Sequence, residues 1–140
     1  MPRSNVLRLT VEFGDCDPAQ IVFYPNFFKW FDAGTRHFFA ACGVPSWQVM
    51  RATHGIIGTP LVDASAKFLG AITYGDAIEI VSSAAEWKRS SFVMSHQIRK
   101  NGATMVEGRE VRVFAGADPL DPARIRAVPI PDDVRRLCAD

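Results

Sequence analysis

Cysteine is scarce in this chain, and Cys16, Cys42 and Cys138 form no close pair in the sequence. An odd, scattered set is no disulfide framework and suits a reducing compartment. Cys-x-x-Cys ligand pairs, glycine-rich phosphate loops and the Gly-x-Ser-x-Gly elbow are all missing. Their absence removes the zinc-site, P-loop, dinucleotide-binding and α/β-hydrolase readings. Histidine is limited to His37, His54 and His96, at no metal-ligand spacing, so each reads as structural or as a surface residue. Charge of either sign is not in excess: 16 basic and 15 acidic residues leave a net +1. A broad phosphate-neutralising surface is thereby excluded, and with it a nucleic-acid partner. No apolar run approaches the ~20 residues needed to cross a bilayer. The opening residues also lack the apolar core of a secretory signal. A cytoplasmic protein with no membrane partner and no metal or redox cofactor is the expectation.

What is present fits one domain over residues 1–140, long enough to bury a core, with 48% hydrophobic residues. Residues 6–13 read as a strand, and residues 14–20 as a polar turn. The most helical stretch begins at Pro25, which suits a first turn, and runs to Ala41. In it Phe27, Phe31, Gly34, Phe38 and Cys42 recur at spacings of three and four, which places them on one face. Phe28, Trp30 and Phe39 add bulk on other sides, the mark of a central helix buried on more than one face. Gly43 and Pro45 supply its stop. A short helix over 46–51 and an irregular segment over 54–60 follow. Strands are expected over 61–73, 77–88, 91–100 and 104–115, with Asn101-Gly102 as a hairpin turn because both residues tolerate positive φ. Residues 104–115 alternate, but charged residues and glycine interrupt both faces, so the buried side is left open. Residues 116–119 are expected to end that strand, and 130–137 to form a short capped helix. One long helix followed by antiparallel strands gives an α+β domain with the helix packed on a sheet, not a doubly wound fold.

The chemistry-bearing segment is Asp15-Cys16-Asp17-Pro18-Ala19-Gln20, followed by Ile21 to Asn26. It sets two carboxylates in a turn between a strand and the long helix. Free amides at the helix start could receive developing negative charge while a carboxylate attacks or activates water. Taken alone, the same residues read first as caps of a turn and only second as a hydrolytic pair. Cys16 has no histidine placed by sequence to activate it.

This segment, with Phe13, Gly14, Phe27, Trp30, Phe31 and Asp32, resembles the 4-hydroxybenzoyl-coenzyme A thioesterase family of hotdog-fold proteins. The likeness continues through residues 43–47, 55–60, 86–93 and 124–129, and so spans nearly the whole chain. It implies an antiparallel sheet wrapped around a central helix. It implies hydrolysis of an acyl-coenzyme A thioester by Asp17, acting as nucleophile or as general base, with the oxyanion received by the backbone amide of Tyr24. Lys88 and Arg89 match the region for coenzyme A phosphates, and Arg124 and Arg126 a second basic contribution. Substrate contacts are expected from Gln20 beside the catalytic turn, from Ser91, from Thr59 at a polar acyl end, and from Asp32, which either faces the pocket or pairs across the interface. The family's active sites lie at a dimer interface, so a homodimer or homotetramer is expected.

Two departures stand out. Gln20 replaces the family's usual glycine, which either reshapes the pocket or strains the turn if positive φ is needed there. Ser91 replaces threonine. The preferred substrate is a hydroxybenzoyl or related aryl thioester. Short- or medium-chain aliphatic thioesters are the rival, ahead of an acyl carrier protein substrate. A hotdog-fold dehydratase would need a histidine-led proton transfer at carbon, and a non-catalytic acyl-coenzyme A binding protein would release no thiol.

Overall fold

Pro25 presets the helical φ and gives up only an N–H that would have no helical partner, so α1 (Pro25–Ala41) starts where the sequence places it. Its buried residues include Phe27, Trp30, Phe31, Gly34, Thr35, Phe38 and Phe39, a face wide enough to touch structure on more than one side. Gly43, at φ +88°, ends the helix. The computed structural model describes residues 3–139. Around α1 curve β1 (Ser4–Thr10), β3 (Leu61–Phe68), β4 (Ala77–Trp87), β5 (Ser91–Lys100) and β6 (Ala103–Val113). They form one antiparallel sheet in the order β1-β4-β5-β6-β3. A helix laid in an antiparallel sheet is the α+β hotdog arrangement.

A second sheet, β2-β7-β8, closes one end; it comprises β2 (Ile56–Gly58), β7 (Ala115–Asp118) and β8 (Asp121–Ala127). The sequence reading is corrected here, since residues 116–118 continue as strand instead of ending it, and Ile56–Gly58 is a short strand. Phe114 redirects the chain: it is fully buried, its N–H donates to Ser90, and its carbonyl accepts from Val128. The β7–β8 turn is pinned by Asp118, whose carboxylate accepts the Leu120 N–H at 2.9 Å. Every residue of β8 is exposed, so no alternation announces it. Residues 69–73, expected as strand, run on irregularly after Phe68. Residues 11–13 likewise leave the strand, and Phe13–Asp15 winds into a 3-10 turn. Two short helices complete the chain, α2 (Trp47–His54) and α3 (Asp132–Cys138).

The core has two apolar halves. Phe27, Trp30, Phe31, Ile80, Ile98 and Val106 belong to one, and Phe38, Phe39, Met94, Phe92 and Phe114 to the other. Between them lies a polar belt. On α1 Thr35 sits between Phe31 and Phe38, and on β5 His96 sits between Met94 and Ile98. Ser82 and Glu110 occupy the matching places on β4 and β6. The buried side of β6, left open by periodicity, is the one bearing Val106, Gly108, Glu110 and Arg112.

Position 108 on this side has no room for a larger residue. A Cβ there would come within 2.3 Å of the Phe31 ring, which itself stacks on His96 at 5.1 Å and 11°. Gly108→Ala is therefore expected to destabilise the protein by about 1–3 kcal/mol through overpacking. A denaturant melt would show a lowered midpoint with an unchanged slope.

Candidate active site

The turn bearing Asp17 is closed by its own backbone. The Asp17 N–H donates to Ile21 at 3.0 Å, the Gln20 N–H to Asp17 at 2.8 Å, and Cys16 bridges Val22. Pro18 follows Asp17, and the Asp17 carboxylate accepts the Ala19 N–H at 2.8 Å. Gln20 stands at φ +66°, so the position the family fills with glycine is a left-handed one. The strained alternative foreseen for Gln20 is the one realised, and its carbonyl is held by the Thr73 hydroxyl at 2.5 Å. Gln20→Gly should relieve the Cβ clash by more than it adds in chain entropy, a net gain of up to about 1 kcal/mol. Thermal denaturation of the two proteins compares them directly.

Asp15 has a different task. Its carboxylate accepts the Glu12 N–H at 2.8 Å, and its carbonyl takes the Phe23 N–H and the Asn26 amide at 2.9 and 2.8 Å. It fixes the turn against the helix start. The Cys16 thiol points to the Glu12 carbonyl at 3.8 Å.

Asp17 shares a cavity of about 300 Å³ with Tyr24, Ile21, Phe27, Phe68 and Ile72. Tyr24 is the residue that precedes the first turn of α1. Phe23 donates its N–H to Asp15, Asn26 to Phe23 and Phe27 to Tyr24, while Pro25 has none. Among the described residues the Tyr24 N–H is thus left without an acceptor at the positive end of the helix. A carboxylate and a free amide on one apolar cavity form an acid–oxyanion pair of the kind acyl transfer uses.

Other sequence-predicted residues lie elsewhere in the chain. Asp32 and Thr59 line a second cavity of about 370 Å³ with Phe39, Trp47 and Arg112. Lys88 and Arg89 form the β4–β5 turn, with Ser91 opening β5. Thr10, just before the Asp17 turn, pairs with Ala77 at the opposite end of β4. β4 has 11 residues, about 35 Å of strand. Within one chain the carboxylate and the basic turn are therefore at opposite ends of the sheet. Arg126 pairs with Gly116, and the chain after it runs beside the basic turn, where Ile130 donates to the Arg89 carbonyl at 2.8 Å. Arg135, which the sequence reading overlooked, donates to the carbonyls of both Lys88 and Arg89 and ties α3 to that turn.

Sequence reasoning also missed the polar belt. Cross-strand register puts Ser82 opposite His96, and Glu110 approaches from β6. Ser82 Oγ lies 2.7 Å from His96 Nδ1, and His96 Nε2 lies 2.8 Å from Glu110 Oε1. The Thr35 hydroxyl donates to the same carboxylate oxygen at 2.5 Å, and Arg112 Nη2 donates to Oε2 at 2.6 Å. Burial acts to raise the Glu110 pKa, but hydrogen bonds from His96, Arg112 and Thr35 outweigh it and hold the carboxyl down to about 2. An ionised Glu110 accepts only, so His96 Nε2 donates to it, and in the neutral ring Nδ1 accepts from Ser82. The set has the connectivity of a serine–histidine–acid triad, yet Ser82 is wholly buried and His96 and Glu110 are each 1% exposed. No substrate reaches it.

Residues 11–137 match the family model described as the thioesterase-like superfamily. A 4-hydroxybenzoyl-CoA thioesterase from Pseudomonas sp. (strain CBS-3) is 38% identical over 99% of this chain and 100% of its own. The crystal structure of an aspartate-to-asparagine variant of 4-hydroxybenzoyl CoA thioesterase, complexed with 4-hydroxybenzoyl CoA, has a TM-score of 0.92 at 39% identity. That match covers 98% of this chain and 99% of the other. A gentisyl-coenzyme A thioesterase structure has a TM-score of 0.82 at 35% identity, over 96% and 100% of the two chains.

Proposed function

The chain belongs to the thioesterase-like superfamily, and from that premise we propose that it hydrolyses aryl-coenzyme A thioesters, 4-hydroxybenzoyl-coenzyme A or a close aromatic relative, with Asp17 as the catalytic carboxylate. The observation that carries this reading is the Asp17–Tyr24 cavity, a carboxylate and an unpaired helix-start amide on one apolar wall. The thioester carbonyl lies between them. Asp17 attacks it or draws a proton from water, and the Tyr24 amide takes up the charge that develops on oxygen. Similarity to hydroxylated aryl-coenzyme A thioesterases favours an aromatic acyl group over an aliphatic one.

The complete site is composed of two copies. β3 is an edge strand, almost wholly exposed, and displays Leu61, Val62 and Phe68. An open apolar edge calls for a partner strand. Phe68 also walls the Asp17 cavity, so whatever covers this edge borders the site. Isologous pairing along β3 reverses the second copy's strands. That brings its Lys88–Arg89 turn, with Ser91, Arg124 and Arg126, toward the Asp17 end of the first, where they would hold the coenzyme A phosphates. Asp32 and Thr59 of the second copy then border the acyl group. The homodimer is the functional unit in this reading, and a homotetramer pairs two of them. Free Cys16, Cys42 and Cys138 accord with the cytoplasm as its location.

Mixing two variants tests the composite site. Asp17→Asn and the double variant Lys88→Ala/Arg89→Ala are each expected to lose most of their kcat/KM. After subunit exchange the mixture should recover activity well above the mean of the two parents, because one site of each mixed dimer is intact. Activity equal to that mean would place both groups in one chain's site.

A further inference from the structure

The turn that carries Asp17 is built on one unfavourable residue. Gln20, at φ +66°, sits where a β-carbon crowds the backbone, a region that glycine, asparagine and aspartate enter more readily. Such a residue persists where the surrounding structure holds it from several sides. Its N–H donates to the Asp17 carbonyl at 2.8 Å, which closes a four-residue turn with Pro18 and Ala19 at its centre. The same turn aims the carboxylate, since Asp17 Oδ1 accepts the Ala19 N–H at 2.8 Å. Relaxation at Gln20 therefore moves Asp17.

A second segment opposes that relaxation. The Thr73 hydroxyl donates to the Gln20 carbonyl at 2.5 Å, and the Ile72 carbonyl beside it accepts the Val22 N–H at 2.8 Å. Thr73 is itself braced. Its N–H donates to Asp76 Oδ2 at 2.9 Å, and Lys100 Nζ, at the end of β5, lies 2.9 Å from the same oxygen. The Thr73 N–H first, and then Lys100, hold the Asp76 carboxyl below its ordinary pKa. The Asp76 carbonyl takes the Val11 N–H at 2.9 Å and the Val11 carbonyl the Gly75 N–H at 2.8 Å, which fixes the loop to the end of β1. A line of bonds thus runs from the sheet through Lys100, Asp76, Thr73 and Gln20 to Asp17. Gly70, Ala71 and Ile72 wall the Asp17 cavity, whereas Thr73, next in the chain, spends its hydroxyl on Gln20.

We propose that Thr73 is a positioning residue for hydrolysis, its hydroxyl keeping Gln20 left-handed and so holding the Asp17 carboxylate at the thioester. This role rests on the reading of Asp17 as the catalytic carboxylate and adds the residues that aim it. Glycine at 20 would need no clasp at this φ; glutamine does, so Gln20 and Thr73 act as one coupled pair.

The test measures kcat and KM on 4-hydroxybenzoyl-coenzyme A, well below each Tm, for full-length wild type, Thr73→Val, Thr73→Ser, Gln20→Gly and the Gln20→Gly/Thr73→Val double variant. Thr73→Val keeps the side-chain shape but donates nothing, and should lower kcat by about 10-fold, short of the ~10²-fold that a 1 Å misplacement can cost. KM should stay within about twofold, because an interaction that serves the transition state alone is removed. Thr73→Ser retains the donor and should keep kcat within about twofold of wild type. Measured against the Gln20→Gly parent, the same Thr73→Val change should cost less than about twofold. A role in stability alone would lower the Tm of Thr73→Val and leave kcat of the folded enzyme unmoved. Asp76→Asn keeps an oxygen for the Thr73 N–H but gives up the charged pair with Lys100, so its smaller kcat loss, also suppressed by Gln20→Gly, replaces Thr73→Val if that variant folds poorly. Unchanged kcat in the folded variant, a loss that serine does not restore, or an equal loss with glycine at 20 would overturn the proposal while leaving hydrolysis by Asp17 in place. A wild type that releases no thiol, or full activity in Asp17→Asn, would remove the Asp17 reading and this role with it.

Discussion

Asp17→Asn is expected to lower kcat for an aryl-coenzyme A thioester by about 10²–10⁴-fold, the range for removing a positioned acid–base group, with little change in Tm. The two halves of this expectation have separate grounds. Asparagine keeps an oxygen able to accept the Ala19 N–H, the one hydrogen bond the Asp17 carboxylate makes among the described residues. The turn itself is closed by main-chain bonds through Ile21 and Gln20, which the substitution leaves alone. What is lost is the negative charge that attacks the thioester or draws a proton from water. Asp15→Asn should behave in the opposite sense, since that carboxylate holds the Glu12 amide and lies behind the turn. Steady-state kinetics beside thermal melts separate the two aspartates: Asp17 by activity at constant Tm, Asp15 by stability first.

The largest effect on stability is expected at Glu110. Glu110→Ala would leave Arg112 and His96 buried without their shared carboxylate and should cost about 3–5 kcal/mol, lowering Tm by roughly 10–20 °C. Replacing both Glu110 and Arg112 by apolar residues of similar size should cost less than the single change, because no charge is then stranded. The same carboxylate gives an acid limb to the stability curve. Its folded pKa, about 2, lies below the ordinary 4.5. Its contribution is therefore complete above about pH 4.5 and is lost as the pH falls toward 2. Urea melts between pH 6 and about pH 2.5 should show stability declining with acid, and Glu110→Gln should flatten that decline. A Gln variant with the same acid slope as the wild type would assign the limb to other carboxylates.

Legibility in the sequence followed how local the signal was. α1 is announced by Pro25, by apolar residues three and four apart, and by Gly43 beyond it. The Asn101-Gly102 turn is equally local, and both residues adopt the positive φ their identities allow, +51° and +77°. The left-handed Gln20 was legible only as a departure from an expected glycine. β6 resisted because its buried side carries Glu110 and Arg112 while its exposed side carries Glu107 and Arg109, so charge cancels the hydropathy alternation. The belt joins residues on α1, β4, β5 and β6, and no spacing within any one segment anticipates it. A Glu-x-Arg pair flanked by Val106 and Phe114 was the available signal, since charges in register with buried apolar residues must be paired. Lys88 and Arg89 were placed by resemblance, but their distance from Asp17 within one chain follows only from the β1–β4 register. β8, exposed throughout and carrying Pro122 as an edge strand can, had no hydrophobic pattern to read.

The most direct measurement is thiol release by the wild-type protein from hydroxybenzoyl-, benzoyl-, phenylacetyl-, short-chain and long-chain acyl-coenzyme A under one set of conditions. Highest kcat/KM on 4-hydroxybenzoyl-coenzyme A or a near aromatic relative, abolished in Asp17→Asn, is the predicted result. Preference for an aliphatic chain, or full activity in Asp17→Asn, would contradict the account.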